Sequence, residues 1–187
     1  MHHLNIPLPL ARRSLCAIVV AITAMVSTWA RADEYSDALG LSKAGKFSDA
    51  IAKADQYLTT KPRDAQMQFI KGSILQKSGR ETEALAVFTK LIEDYPELPE
   101  PYNNLAVIYA AQNQYEKARI ALEMAIRNRP DYATAYENLG DVYAKLAYQA
   151  YAKSMQLDPS ADNVDQKLAR VNEVFGAKAG GTRKVTK

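Results

Sequence analysis

The side chains best suited to covalent or acid–base chemistry are gathered at one end of this chain. Its only cysteine (Cys16), both histidines (His2 and His3) and its only tryptophan (Trp29) fall within the first 32 residues. A thiolate could attack a carbonyl or bind zinc, and an imidazole could move a proton or complete a metal site. The segment holding them reads as an export leader. Arg12 and Arg13 precede an uncharged, chiefly apolar run from Leu15 to Val26, and Ala30-Arg31-Ala32 has the small-x-small form that a signal peptidase requires. That apolar run is short against the roughly 20 residues needed to span a bilayer, so residues 1–32 are expected to be a signal peptide cleaved after Ala32, leaving a periplasmic or secreted chain with no stable membrane span. Cys16 lacks the small residues a lipoprotein signal places before its cysteine, and the arginine pair lacks a twin-arginine context. Cleavage removes every thiol and imidazole, which excludes His- and Cys-centred catalysis and a Cys/His zinc site. Carboxylate pairs remain, such as Glu137 with Asp141, but these stand one helical turn apart with no nucleophile, base or phosphate loop beside them. The expectation is a non-enzymatic protein with no catalytic residues, no metal and no cofactor.

Charge narrows the partners. The chain carries 24 basic and 21 acidic residues, with a pI near 8.8. Arg12, Arg13 and Arg31 account for the excess, and from Asp33 onward 21 basic residues balance 21 acidic ones. A neutral chain gains little from counterion release on nucleic acid, so nucleic acid is not expected as a partner.

The elements that would position any remaining chemistry are helices. From Asp33 onward the chain is rich in Ala, Leu, Lys, Glu, Gln and Tyr, and its apolar residues recur at three and four. A longer rhythm overlies this one. Pro62, Pro96 and Pro130 are spaced by 34, as are Ala50, Ala84 and Ala118, and Leu58, Ile92 and Ile126. Leu41, Leu75, Tyr109 and Tyr143 keep the same step, as do Ala38, Gly72, Ala106 and Gly140. The small residues let paired helices approach closely, the proline stops the second helix of each pair, and Gly45, Gly79 and Asn113 supply the turn between them.

This pattern resembles the tetratricopeptide repeat (TPR) in its exported bacterial type. Tyr102-x2-Leu105-Ala106-x2-Tyr109, followed by Ala118-x3-Leu122 and Pro130, carries the resemblance, and Tyr136-x2-Leu139-Gly140-x2-Tyr143 opens a further repeat. The resemblance implies an all-α, right-handed superhelical solenoid of helix-turn-helix units, over about 33–64, 65–98, 99–132 and a shortened 133–159. It also implies a concave surface lined by the first helix of each pair. Tyr35, Lys43, Phe69, Lys77, Asn103, Asn104, Val107, Glu137, Asn138, Asp141 and Lys145 would face that surface. Asn104 and Asn138 hold equivalent places; in the family such amides hydrogen-bond the backbone of an extended ligand, offering a donor and an acceptor. Lys43, Lys77 and Lys145 share another place and could receive a carboxylate, although Ala111 breaks the row. Phe69 and Val107 leave the surface partly apolar, which favours a protein segment over a sugar or nucleotide.

The fourth repeat departs from the rhythm. Pro159 comes five residues before its expected place near 164, and only Ala144-Lys145-Leu146 separates Tyr143 from Ala147, without Gly, Pro or Asn. A helical hairpin needs a few connecting residues, so one fused helix is expected from about Ala133 to Leu157. It would project Tyr148, Tyr151, Met155 and Leu157 away from the stack, either to pair with a second copy or to be covered by the next helix. Val164, Leu168, Val171 and Phe175 mark that next helix, over about 160–175, as a terminal cap. A basic tail with Lys178, Arg183, Lys184 and Lys187 follows, 176–187, and is expected to be disordered. Two functions follow: an envelope adaptor that holds a protein or peptide segment in its groove, or a self-associating module, a homodimer through helix 133–157, using Tyr148, Tyr151 and Met155.

Overall fold

A computed structural model of the chain describes residues 34–160 and 163–176. The expected leader with its cleavage site, and the expected basic tail from 177 onward, lie outside the described residues. Among the described residues there are eight helices and no strand: α1 (34–43), α2 (Phe47–Thr60), α3 (Ala65–Lys77), α4 (Glu81–Asp94), α5 (Pro99–Ala111), α6 (Tyr115–Asn128), α7 (Ala133–Leu157) and α8 (Val164–Gly176). The fold class is that expected, all-α helix-turn-helix units of the solenoid type with a fused helix in the fourth repeat and a terminal cap helix.

Two kinds of chain reversal alternate, and single residues set both. Gly45, Gly79 and Asn113 have φ of 75°, 79° and 58°. Glycine and asparagine reach this left-handed region with least strain. The turn then closes back on the finished helix, with the Lys46 amide donating to the Leu41 carbonyl at 2.9 Å and that of Gln114 to Tyr109 at 2.8 Å. The second reversal belongs to proline. Helices α2, α4, α6 and α7 each end two residues before Pro62, Pro96, Pro130 and Pro159. The intervening residue has left the helical region, with φ of −136° to −140° in all four cases, as the ring of a following proline requires.

The fused helix follows from the first kind of turn. The next place in the series Gly45, Gly79, Asn113 is Ala147. Alanine in the left-handed region costs about 1–2 kcal/mol, whereas in a helix it is the most favourable residue. No reversal forms, and α7 runs on for 25 residues. The cap helix begins at Val164, four residues later than expected, after Asn163 at φ 67°.

The chain divides into two compact units, Met1–Gly79 and Arg80–Lys187. In the first, α2 packs on α3, and the core holds Ala38, Ala50, Ala54, Met67, Ile74 and Leu75, each no more than 1% exposed. In the second, α4 through α8 pack in chain order, each helix chiefly on its neighbours, which is how stacked repeats share a core. Ala106 on α5 and Ala118 on α6, both buried, let those helices close on Leu105, Ile108 and Leu122. Burying each such side chain contributes about 1.5–3 kcal/mol.

Candidate functional site

In the second unit α5 and α7, the first helices of successive repeats, come into contact. Asn138 on α7 donates its side-chain amide to Asn103 Oδ1 on α5 at 2.8 Å, and the Asn103 amide in turn lies 3.5 Å from Asn104 Oδ1. Asn103 is buried by this contact, so it joins the two repeats. Beside that link lies a cleft of about 280 Å³. Helix α5 contributes Ala106, Val107 and Ala110; α6 contributes Tyr115 and Leu122; α7 contributes Asn138, Asp141, Val142 and Lys145; α8 contributes Phe175. The lining is apolar except along α7, where an amide, a carboxylate and an ammonium occupy successive turns. Val107 stands 41% exposed at the mouth. The Lys145 ammonium lies 3.8 Å from the centre of the Phe175 ring, a cation–π contact that holds the end of the cap helix against α7.

The cleft is smaller than the roughly 300–1,000 Å³ of most ligand pockets, and suits one or two apolar side chains rather than a cofactor. Its polar edge could hydrogen-bond the backbone of a segment that places such a side chain inside. Among the described residues no group of three or more His, Cys, Asp or Glu could hold a metal ion. No described helix is long and apolar enough to cross a membrane.

Of the residues expected on the concave surface, Val107, Asn138, Asp141 and Lys145 line this cleft together. Asn103 and Asn104 lie beside it, Asn103 with its side chain turned to protein rather than to a ligand. Glu137 is exposed on α7. The other four belong to the first unit. Lys43 and Lys77 are exposed at the last turns of α1 and α3, and Phe69 is half-buried on α3. Tyr35 donates its hydroxyl to Asp64 Oδ2 at 2.6 Å, Tyr57 donates to the same oxygen at 2.9 Å, and Asp64 Oδ1 accepts the Met67 amide that opens α3. Burial, and then the bonds to Asp64 and Tyr57, hold the Tyr35 phenol protonated far above its ordinary range. Its role is to tie α1 and α2 to the start of α3.

The three residues expected to self-associate, Tyr148, Tyr151 and Met155, are each half-buried on α7, against which α8 packs. Lys167 of α8 places its ammonium 5.8 Å from the Tyr151 ring. The repeat pattern does not place Ala106, Ala110, Tyr115, Leu122, Val142 or Phe175 on the concave surface, yet they line the cleft. Phe175 reads as one apolar residue of a cap helix outside the repeat, Ala110 is too small to stand out, and Tyr115 sits at the start of a second helix. Only the folding of α8 back along α7 brings Phe175 to the cleft.

Two family models, each described as tetratricopeptide repeat, match residues 35–99 and 75–146. The chain is 36% identical over 72 residues to the tetratricopeptide repeat domain-containing protein PYG7 of Arabidopsis thaliana, covering 36% of this chain and 24% of that protein. It is 30% identical over 112 residues to the Hsp70-Hsp90 organizing protein of Triticum aestivum, covering 57% of this chain and 19% of that protein. The chain thus spans a quarter or less of both relatives. Among solved structures, the first TPR domain of human RPAP3 superposes with a TM-score of 0.58 at 16% identity, covering 61% of this chain and 90% of that one. MamA gives 0.54 at 23%, covering 75% and 85%, and pilF of Pseudomonas aeruginosa 0.58 at 20%, covering 82% and 78%. These likenesses show the fold.

Proposed function

This chain belongs to the tetratricopeptide-repeat family, and on that premise we propose that it is an exported, non-catalytic scaffold of the cell envelope that holds a protein segment in the cleft between α5, α7 and the end of α8. The observation that carries this reading is the convergence of Val107, Asn138, Asp141 and Lys145 on one apolar cleft, with Phe175 as its far wall. An extended segment fits that chemistry best, with one apolar side chain inserted beside Val107 and its backbone along the polar edge of α7. The name of the wheat relative, the Hsp70-Hsp90 organizing protein, is in keeping with a scaffold. Export rests on the leader sequence, Arg12-Arg13, the apolar run and Ala30-Arg31-Ala32.

Affinity capture from an envelope extract, comparing the tagged chain with Val107→Glu, tests the cleft. A carboxylate at its mouth should reduce recovery of a specific partner at least tenfold while the helical circular-dichroism signal stays unchanged. Equal recovery by both proteins overturns the cleft as the binding surface. N-terminal sequencing of the exported chain tests the location, with Asp33 as the expected first residue; a chain retaining Met1 in the cytosol overturns it.

A further inference from the structure

Helix α7 carries both halves of a helical hairpin, yet in one chain they do not meet. The first half is the stripe Tyr136, Gly140, Tyr143, which matches Tyr102, Ala106 and Tyr109 of α5 at a spacing of 34. On α5 that stripe is covered, with Tyr102 at 8% exposure and Ala106 at 1%, because α6 folds back over it. On α7 it is bare. Tyr136 is 51% and Tyr143 48% exposed, and a side chain at Gly140 would find no atom within 4 Å of its Cβ.

The second half is also present. Counted back from the closing proline, Ala147, Ala150, Tyr151, Ser154 and Met155 stand before Pro159 where Ala118, Ala121, Leu122, Ala125 and Ile126 stand before Pro130. In α6 the first four of these are at most 7% exposed, pressed into the core. In α7, Ala150 is exposed and Ala147, Tyr151 and Ser154 are only half-buried. Helical periodicity places Gly140, Tyr143, Ala147, Ala150 and Ser154 along one line of the straight helix, so one α7 presents a first-helix surface followed end to end by its matching second-helix surface.

We infer that two copies of this chain pair through α7 in antiparallel fashion, each laying Ala144–Tyr151 across Tyr136–Tyr143 of the other. The two-fold axis passes between Tyr143 and Ala144, so that Gly140 of one copy faces Ala147 of the partner copy, as Ala106 faces α6 within the third repeat. The occupant of the open stripe is specified by the repeat itself: it takes a second helix with alanine at this place, and among the described residues the second half of α7 offers one, with Ala150 exposed and Ala147 and Ser154 half-buried beside the surface on which α8 packs. The pairing is isologous and satisfies both surfaces at once. Contact over the paired stretch, about 24 Å by 10 Å on each side, buries on the order of 500 Å² in total, which belongs to a weak, reversible dimer rather than an obligate one. This surface lies on the opposite side of α7 from Asp141, Val142 and Lys145. The dimer therefore keeps both clefts available and holds two segments at once, a gain that matters for avidity. It stands whether or not the cleft is the binding surface.

The test is a double variant, Gly140→Cys with Ala147→Cys, in a full-length Cys16→Ser background under mild oxidation. Seven residues apart on one straight helix, the two Cα atoms are about 10 Å apart, beyond the roughly 7 Å a disulfide can bridge. The expected result is a covalent dimer of twice the chain mass on a non-reducing gel. An intramolecular disulfide in a monomer would show that α7 folds into a hairpin in solution, and no disulfide would show that the stripes never meet; either overturns the inference. Independently, five residues with a central Asn-Gly inserted after Ala144 restore the 34-residue spacing. Light scattering should then find the insertion variant monomeric at concentrations where the parent chain dimerises, and a persistent dimer overturns the pairing.

Discussion

Helices α5 and α6 of the third repeat and helix α7 of the fourth share the same repeat motif positions and end in different structures. Tyr102, Ala106 and Tyr109 have direct equivalents in Tyr136, Gly140 and Tyr143. What differs is the connection. The third repeat has Asn113 at φ 58° and three residues between its helices, whereas the fourth lacks five residues and has Ala147 at the turn position. Packing residues determine which surfaces could pair. The turn determines whether they pair within one chain.

The comparison breaks most visibly at the core. Leu122 is fully buried between α5 and its neighbours, while its counterpart Tyr151 is half-buried. Leu122→Ala should cost about 3 kcal/mol, within the usual range for a buried leucine. Tyr151→Ala should cost about 1 kcal/mol or less, as for a partly exposed site. Chemical denaturation of both variants at low protein concentration measures the contrast. Equal losses would mean that α7 is covered as fully as α6.

The turn gives a smaller and more specific effect. Asn113→Ala places a Cβ-bearing residue without a compensating side-chain bond at φ 58° and removes the bond that Asn113 Oδ1 accepts from the Tyr115 hydroxyl at 2.7 Å. A loss of about 1–1.5 kcal/mol is expected, the difference between asparagine and alanine in the left-handed region plus one exposed hydrogen bond. Hydrogen exchange should show earlier opening at the α5–α6 junction. If the variant is as stable as the parent chain, the left-handed residue is not what separates the third repeat from the fourth.

These differences explain what the sequence made legible. The helix pairs, their stops at Pro62, Pro96, Pro130 and Pro159, and the fused helix could all be read, because each rests on short-range backbone chemistry repeated at one spacing. The cleft could be read only in part. Val107, Asn138, Asp141 and Lys145 follow from their place within a repeat, but Phe175 comes from the cap helix, which has no fixed place in the rhythm. The Asn138–Asn103 bond joins two different repeat positions, so no pattern within one repeat announces it. Tyr35 was expected on an open surface for its position, and its hydroxyl instead reaches Asp64, 29 residues away.

Gly140 gives the smallest effect and separates the two states of α7 most finely. A glycine inside a helix is less stable than alanine by roughly 0.5–1 kcal/mol, and at Gly140 an added Cβ meets nothing within 4 Å. In a dilute, monomeric chain Gly140→Ala should therefore raise stability by about 0.5–1 kcal/mol, seen as a higher denaturation midpoint with unchanged slope. In the antiparallel pair the same methyl group takes the place that Ala106 holds against α6 in the third repeat and is buried against Ala147 of the partner copy. The gain should then grow as protein concentration rises and the pair forms, since the added methyl is buried only in the pair. A gain that is constant across concentration would mean that the stripe stays bare, and would separate helix propensity from pairing in one titration.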